Sequence, residues 1–234
     1  ILREAEREAD VILWDGGNND TPFFLPDLEL VVIDPHRAGH ERTYFPGEVN
    51  LLRADVIVLT KLDTARSGDI QTVRENIRRW NPQAMVIETA MPVSVDHPEQ
   101  IRGKRVLVIE DGPTLTHGGM KSGAGVRATE MHGATEVVDP RPFAVGSIGL
   151  AFTKYPHIGP VLPAMGYSAE QIRELEATIE RVECDLVVIA TPIDLRNILR
   201  IRQPTCRVSY DVQEQGTPTL RQALDKVIKA VARV

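Results

Sequence analysis

Val56-Ile57-Val58-Leu59-Thr60-Lys61-Leu62-Asp63 is the stretch that decides the fold. Four consecutive apolar residues without alternation are typical of a strand that is covered on both faces in a parallel sheet. Polar residues follow at once, and ligands bind in open α/β sheets beyond the carboxyl ends of the strands. The stretch therefore predicts a buried parallel strand that ends in a ligand-binding loop.

The same pattern recurs along the chain. Apolar runs predict strands at Asp10–Trp14, Leu30–Ile33, Asp55–Leu59, Ala84–Ile87, Val106–Ile109, Glu136–Val138, Leu186–Ala190 and Arg207–Tyr210. Amphipathic periodicity predicts helices at Ser67–Trp80, Ala124–Met131, Ser168–Val182 and Leu220–Val231. This alternation predicts an α/β fold with a mostly parallel, doubly wound sheet. The polar, turn-rich stretch Pro92–Arg105 is the predicted boundary between segments 1–100 and 101–234.

Composition excludes several classes of protein. The 234 residues are 42% hydrophobic with a formal charge of −6, as in an ordinary globular protein. The negative charge disfavours a general nucleic-acid binder, and no apolar run approaches the ~20 residues that cross a bilayer. Cys184 and Cys206 form no CxxC motif, so we expect two buried free thiols and a cytoplasmic location.

The loop after the first quoted strand matches a nucleotide-binding pattern. Thr60-Lys61-Leu62-Asp63 fits the [NT]KxD motif of P-loop nucleotide hydrolases, where the carboxylate binds guanine and the lysine stem covers the base. One strand later, a small-residue loop stands where such domains place a backbone amide near the base. An exposed TKLD turn without a ligand is the alternative interpretation. The predicted nucleotide-binding residues are Thr60, Lys61, Asp63, Thr89 and Ala90.

The segment from Val11 to Gly17 has the form of a Walker B strand, with an acid followed by two glycines. Asp15 would then hold Mg²⁺, whereas the alternative is a simple Asp-Gly turn. No G-x-x-x-x-G-K-[ST] motif is present in the sequence. Residues 1–9 have the pattern of the end of an amphipathic helix, so we expect the Walker A loop to precede Ile1. On this hypothesis the 234 residues alone bind nucleotide poorly.

A cationic cluster follows the second predicted strand. His36, Arg37 and His40 lie within five residues, and such a cluster suits phosphate oxygens. The HxxxH spacing is also that of a metal pair on a helix, although Pro35 and Gly39 argue against a helix here. Solvated loop charges are the third alternative.

The stretch 106–125 leads from a strand into a Gly-rich loop and then into a helix. Glycines allow amides to converge on an anion, and a helix N-terminus adds partial positive charge. A glycine-rich loop that only packs tightly is the alternative. Catalytic roles are predicted for His36, Arg37, His117 and Lys121, and binding of substrate phosphate for His40, Gly118, Gly119, Ser122, Arg141 and Lys154.

The chain resembles the cyclic 2,3-diphosphoglycerate synthetase family, whose bacterial members are often labelled GTPases. The resemblance rests on Glu110-Asp111-Gly112-Pro113-Thr114 through His117-Gly118-Gly119-Met120, on Asp139-Pro140-Arg141-Pro142, on Pro163–Tyr167 and on Thr191–Leu195. It covers essentially the whole chain and corresponds to the C-terminal half or so of the family's proteins. It implies a P-loop ligase that uses ATP and Mg²⁺ in the cytoplasm to close a phosphoanhydride in 2,3-bisphosphoglycerate.

These observations lead to one hypothesis with two alternatives. The first is an ATP- or GTP-dependent ligase that binds a small anionic phosphorylated substrate in one pocket, with no nucleic-acid or membrane partner. A homodimer is left open, and the fragment alone is expected to be inactive. The second is a regulatory GTPase or metallochaperone-like switch, in which Lys121 is dispensable. The third is a non-enzymatic ligand-binding domain.

Overall fold

The computed structural model describes residues 1–17 and 20–231. The chain divides into two compact units, which are Ile1–Pro92 with Val212–Val234 (unit 1) and Val93–Asp211 (unit 2). Both are α/β, with sheets that are mostly parallel. Residue 100 therefore lies inside unit 2, and the last helix returns to unit 1 rather than continuing the second segment. Among the described helices, none has the length and apolarity to span a membrane.

Strands and α-helices alternate along much of the chain, apart from two runs of three strands, at 85–111 and 186–214, that have no α-helix between them. The strands are β1 Leu30–Ile33, β2 Val56–Leu59, β3 Met85–Ala90, β4 Val93–Val95, β5 Arg105–Asp111, β6 Glu136–Val137, β7 Leu162–Ala164, β8 Leu186–Ala190, β9 Thr205–Tyr210 and β10 Gln213–Glu214. The α-helices are α1 Leu2–Glu8, α2 His40–Thr43, α3 Gly47–Arg53, α4 Ser67–Trp80, α5 Gly112–Leu115, α6 Ala124–Met131, α7 Gly146–Lys154, α8 Ala169–Arg181 and α9 Leu220–Val231.

Unit 1 is a four-stranded sheet in the order β1-β2-β3-β10, in which only β10 is antiparallel. Helices α3 and α4 cover one face through Leu51, Val73 and Ile77. On the other face Ala223 of α9 packs against Val56. The unbroken apolar run of β2 is explained by this burial on both faces.

Unit 2 has the strand order β4-β9-β8-β5-β6, and β7 pairs with the carboxyl half of β5. All of these pairs are parallel except the pair of β4 with β9. Helices α7 and α8 pack on one face through Ile148, Leu175 and Ile179. Helix α6 packs on the other face through Ala128. Ser168 begins α8 with the capping box to Gln171 that the sequence predicts.

Three features depart from the sequence predictions. Residues 10–14 were predicted as a strand, but they form none, and Val11 to Trp14 are exposed. A strand needs a neighbour to satisfy its backbone groups, and no described strand pairs with this segment. Strands β4, β7 and β10 and helices α2, α3, α5 and α7 were also not predicted from the sequence. Finally, the strands are divided between two sheets instead of belonging to one.

Candidate functional site

An ion pair lies at the carboxyl ends of β1 and β2 in unit 1. Asp34 follows β1, Lys61 follows β2, and the Lys61 Nζ lies 2.7 Å from the Asp34 Oδ2. Arg37 Nη2 approaches the same oxygen at 3.6 Å, and the His36 amide donates to Oδ1 at 3.0 Å. Burial raises the pKa of Asp34, but the hydrogen bond and charge of Lys61, the His36 amide and Arg37 together lower it below its usual value. Asp34 is therefore a buried carboxylate that holds cations at the strand ends.

Lys61 has a backbone conformation that is uncommon for its residue type. Its φ is +57°, which makes it the non-glycine residue with a positive φ in the described chain. The left-handed region costs a bulky side chain about 1–3 kcal/mol, and such residues cluster at functional sites. The conformation is fixed by neighbours, because the Lys61 carbonyl accepts from the amides of Thr64 and Ala65 and the Leu62 amide donates to the Thr89 carbonyl at 3.1 Å. The turn thus presents the ammonium group beside Asp34.

The predicted nucleotide-binding residues come together at this edge of unit 1. The Met91 amide donates to Asp63 Oδ1 at 3.0 Å, which joins the loop after β2 to the end of β3. The hydroxyl groups of Thr60 and Thr89 are buried, and neither has a hydrogen-bond partner among the described residues. Two unpaired hydroxyls on adjacent strand ends are unusual, since buried polar groups are normally hydrogen-bonded. This edge therefore offers cations, a carboxylate and spare donors in one place.

His36 and His40 have different surroundings. The His36 Nε2 lies 2.7 Å from the Thr64 hydroxyl, so His36 belongs to the strand-end group with Arg37 and Lys61. His40 is in α2, where its ring stacks on Tyr44 with centroids 4.3 Å apart. The described residues contain no group of three or more His, Cys, Asp or Glu side chains that could hold a metal. The metal-pair alternative for the two histidines thus has no supporting cluster there.

Asp15, the predicted Mg²⁺ ligand, lies in the exposed irregular segment and not at the tip of a strand. In unit 1 the acid that directly follows the apolar strand β1 is Asp34. Mg²⁺ usually binds through one or two carboxylates together with substrate phosphates, so one exposed carboxylate is compatible with an ion that arrives with nucleotide. The Walker B geometry that the sequence predicts, with Asp15 at the tip of a strand, is absent from the described residues.

In unit 2 the Gly-rich loop already uses its own amides. The Gly118 amide donates to the Pro113 carbonyl at 3.0 Å, and the Gly119 amide donates to the Thr116 carbonyl at 3.3 Å. A Cβ at Gly118 would lie 2.4 Å from the Thr114 carbonyl oxygen, so only glycine fits there. In this conformation the two amides close the loop on itself, and the predicted convergence of amides on an anion is not formed.

The N-terminus of α6 is occupied by a carboxylate of the chain. Glu110, the penultimate residue of β5, is 2% exposed, and its Oε1 accepts from the Val126 amide at 3.1 Å. Its Oε2 has no partner among the described residues. A Cβ at Gly123 would lie 2.8 Å from Oε2, and one at Gly125 would lie 3.1 Å from Oε1. Burial raises the pKa of Glu110, although hydrogen bonds from the α6 amides oppose the shift. These glycines make room for Glu110.

Two of the cationic side chains of unit 2 lie near the same tyrosine. The centroids of the His117 and Tyr155 rings lie 6.0 Å apart. The Nζ of Lys154, at the end of α7, lies 5.2 Å from the centroid of the Tyr155 ring. The Lys121 side chain is exposed, and its carbonyl accepts from the Gly159 amide at 2.8 Å. The structure thus brings His117 and Lys154 to one tyrosine. Ser122 is half-buried in the loop that leads to α6.

Arg141 is held by a neighbouring acid. Its Nη2 lies 2.6 Å from the Asp139 Oδ2, and its Nε contacts both Asp139 oxygens at 2.9 Å. The hydrogen bond from Arg141, which outweighs burial, lowers the pKa of Asp139. The guanidinium group would have to leave Asp139 to bind a substrate phosphate.

Comparison with known proteins provides one strong similarity. No protein-family model matches the sequence. The chain is similar to the arginine synthetase ArcE of Thermococcus kodakarensis. The two are 58% identical over 229 residues, which is 98% of this chain and 51% of ArcE. The chain therefore spans about half the length of the curated relative that it matches.

The region shared with ArcE contains both groups of candidate residues, because it includes nearly the whole chain. The strand-end cluster around Asp34 and the loop around Glu110 therefore lie in the half that the two proteins share. Sequence reasoning did not single out either acid. Each carried a readable signal, since Asp34 ends the run Leu30–Ile33 and Glu110 ends the run Val106–Ile109. A third group that was missed is the bridge of Arg196 Nη1 to Asp96 at 2.7 Å and of its Nη2 to Asp194 at 2.8 Å.

Proposed function

We propose that this chain forms half of a nucleotide-dependent synthetase that makes arginine. The observation that carries the proposal is the strand-end cluster of unit 1, where Lys61 and Arg37 converge on Asp34. Cations at the carboxyl ends of parallel strands suit a nucleotide's phosphates. The likeness to ArcE, a protein named as a synthetase, favours use of that nucleotide in bond formation over a purely regulatory role.

Phosphate binding in unit 1 would rest on the predicted side chains. In place of the base-covering role that the [NT]KxD pattern predicts for Lys61, its ammonium would move from Asp34 to the β- and γ-phosphates, and Arg37 would add a two-pronged contact. The hydroxyls of Thr60 and Thr89 are enclosed and have no acceptor among the described residues, so their contact with a nucleotide requires these strand ends to open. The nucleotide is ATP or GTP. Mg²⁺ bound to its phosphates would supply charge neutralisation, with one carboxylate such as Asp15 as its protein ligand.

Formation of arginine sets the reaction class. A guanidino group arises when ammonia replaces the oxygen of a ureido group, as in citrulline. The γ-phosphoryl group is transferred to the ureido oxygen, ammonia attacks the ureido carbon, and the C–O bond breaks to release phosphate. The products are arginine, a nucleoside diphosphate and inorganic phosphate, and no oxidant or reductant is needed. The protein's contribution is positioning and stabilisation of charge.

The strand ends of unit 2 suit the cationic product. Asp111 follows Glu110 at the end of β5, and its Oδ2 accepts from Thr114. Burial, with a smaller contribution from the charge of Asp111, raises the pKa of Tyr167. The Asp111 carboxylate can bind a guanidinium group, whereas it would repel a phosphate. This favours arginine as the product over a bisphosphorylated acid.

Closure of a phosphoanhydride in 2,3-bisphosphoglycerate is the second candidate function. It is favoured by the run Glu110–Met120, which carries the resemblance to cyclic 2,3-diphosphoglycerate synthetases. In that reaction His117, Lys121 and Lys154 would neutralise the substrate phosphates, because even two unit charges about 4 Å apart repel by about 1 kcal/mol in water and by several times more in a dry site. The two candidates share activation by phosphoryl transfer and differ in the second substrate.

The test is product formation by the chain co-expressed with the remaining half of Thermococcus ArcE. ATP and GTP are supplied in turn with citrulline and ammonium, with 2,3-bisphosphoglycerate, or with neither. The first proposal expects arginine and phosphate in equal amounts, only when citrulline and ammonium are present. Phosphate release that is the same under all three conditions, or no turnover and no nucleotide binding, would refute it. Release that depends on 2,3-bisphosphoglycerate supports the second candidate instead.

Single substitutions assign the roles. Lys61→Ala should lower turnover about 100-fold or more, as removal of a charge-stabilising donor typically does. Lys121→Ala should lower turnover with 2,3-bisphosphoglycerate if that is the substrate. The matched control is Lys104→Ala, which lies at the amino end of β5, away from the strand ends that bind ligands. Basal hydrolysis that Lys121→Ala leaves unchanged, without any dependence on a second substrate, would fit the regulatory switch.

A further inference from the structure

Exposed apolar side chains are concentrated near the start of the chain. Twelve of the twenty large apolar side chains that are exposed in the described residues lie in residues 1–52. Among them, Leu13 is 88% exposed and Phe23 is 76% exposed. Some of them lie together, since the Trp14 and Phe23 rings have centroids 4.5 Å apart, and exposed apolar groups that cluster commonly mark an interaction site.

Strand β1 carries part of this surface on one face. Ile33 is buried and Val31 packs with it against the core under α3 and α4. Leu30 and Val32 point to the opposite face, where they are 38% and 57% exposed. On that face Ala223 of α9 packs with Val56 of the neighbouring strand. Parallel sheets are normally covered on both faces, so the face of β1 lacks a cover within the described residues.

The outer edge of β1 is also open. In the described residues β1 has β2 as its strand neighbour and ends the sheet on that side. Every β1 residue is hydrophobic, with no charge, proline or bulge to discourage pairing. Natural proteins usually protect such an edge, because its backbone groups can pair with another strand. One bound element that adds a strand at the edge and a layer over the exposed face would therefore cover both.

We propose that the outer edge of β1 and the face formed by Leu30 and Val32 bind the polypeptide that corresponds to the remaining half of an ArcE-length protein. The length of ArcE and the exposed surface of β1 both support this assignment. The chain matches 51% of ArcE, so about half of that protein has no counterpart here, and an α/β segment from that half would extend the parallel sheet beside β1. The segment 10–14, which has the sequence pattern of a strand, would then gain a neighbour. The inference does not depend on the reaction, because it concerns assembly alone.

The experiment measures binding between this chain and the remaining half of Thermococcus ArcE, co-expressed with an affinity tag on that half. We expect a one-to-one complex in size-exclusion chromatography with light scattering. Val32→Asp should weaken the complex at least tenfold, because it places a charge in the covered face. The matched control is Leu150→Asp on α7, which is 72% exposed in unit 2 and should leave binding unchanged.

Hydrogen exchange of the unaltered proteins gives a second measurement, which does not depend on whether a variant folds. Amides of Leu30–Val32 should become protected in the complex, and those of Val11–Trp14 should too. The proposal is overturned if no complex forms, or if Val32→Asp binds as well as the unaltered chain. It is also overturned if protection appears only when the chain associates with a second copy of itself, since a homodimer would then be the occupant.

Discussion

Replacing Lys61 by glycine and by alanine separates two effects that the structure combines in one residue. Both substitutions remove the ammonium group that lies 2.7 Å from Asp34. Only glycine accepts the left-handed backbone at φ +57° without strain. The difference between the two variants therefore measures the backbone strain, and their common loss measures the ion pair.

The magnitudes follow from burial and conformation. The side chain of Asp34 is 8% exposed and that of Lys61 is 35% exposed, so the pair lies between a buried and a surface salt bridge. Leaving Asp34 without this partner should cost about 1–2 kcal/mol, discounted for the screening that reaches Lys61. The glycine variant should recover about 1 kcal/mol of this loss, because glycine adopts the left-handed conformation without strain. This value already allows for the part of the gain that is lost to the greater entropy of glycine in the unfolded state. Lys61→Ala is thus the less stable variant.

The loss should depend on pH in a defined direction. In the unaltered protein the pKa of Asp34 is lowered by Lys61 despite the opposing effect of burial. A carboxyl whose pKa falls on folding contributes stability above its unfolded pKa of about 3.9, and this contribution disappears as the pH falls through the folded value. The difference in unfolding free energy between the unaltered chain and either variant should be full at neutral pH and shrink below about pH 4.

Urea unfolding followed by tryptophan fluorescence makes the measurement in the correct unit, because Trp14 and Trp80 both belong to unit 1. A loss of 1 kcal/mol should lower the midpoint by about 0.5 M urea. Equal midpoints for the glycine and alanine variants would refute the argument from backbone strain. A loss that persists unchanged in acid would refute the assignment to Asp34.

Three further predictions concern unit 2 and the thiols. Because burial raises the pKa of Glu110, the folded state holds the carboxyl proton more tightly than the unfolded state does. The contribution of Glu110 to stability is therefore lost as the pH rises through its folded pKa. Glu110→Gln should flatten this decline in the free energy of unfolding, measured by urea unfolding followed by circular dichroism. Gly125→Ala should destabilise the chain by about 1–3 kcal/mol, since its Cβ would lie 2.5 Å from a core Val108 methyl, whereas Gly68→Ala meets nothing within 4 Å and should change the midpoint little. Burial raises the pKa of the Cys206 thiol to about 12, so a disulfide reagent should modify it only after unfolding.

The extent to which the fold could be predicted depends on how each strand is buried. Strand β8 was predicted with the bounds Leu186–Ala190 because both of its faces are covered, which makes its sequence an unbroken apolar run. Strand β7 was missed because Pro163 lies at its centre, and proline is normally excluded from paired strands. It is tolerated here because β7 is short and pairs with β5 alone. Strand Asp10–Trp14 was predicted from the same pattern as β8, yet a pattern cannot supply the neighbour that a strand requires.

The candidate site divides in the same way. The motif at Thr60–Asp63 was predicted to lie at a strand end, and the structure has it there beside Thr89 and Met91. The partner of Lys61 could not be predicted, because Asp34 is 27 residues away and reaches the lysine only through the pairing of β1 with β2. Whether the cations of unit 1 and those of unit 2 share one pocket stays a prediction. Each motif is formed by residues that are close in sequence, so a single sequence predicts it. A pocket shared by two units would depend on residues far apart in sequence, which a single sequence does not place.

Glu110 decides what kind of anion recognition unit 2 can offer. A phosphate at the N-terminus of α6 would have to displace a carboxylate that the Val126 amide already holds, and it would approach a second oxygen of the same sign. A phosphate and a carboxylate this close together would repel each other, and the repulsion is stronger in a buried site than in water. The amides that the Gly-rich pattern predicts as ligands for an anion are therefore taken by the chain itself. Any phosphate bound in unit 2 depends on the side chains of His117, Lys121 and Lys154, and the strand end beside Glu110 favours a cationic group.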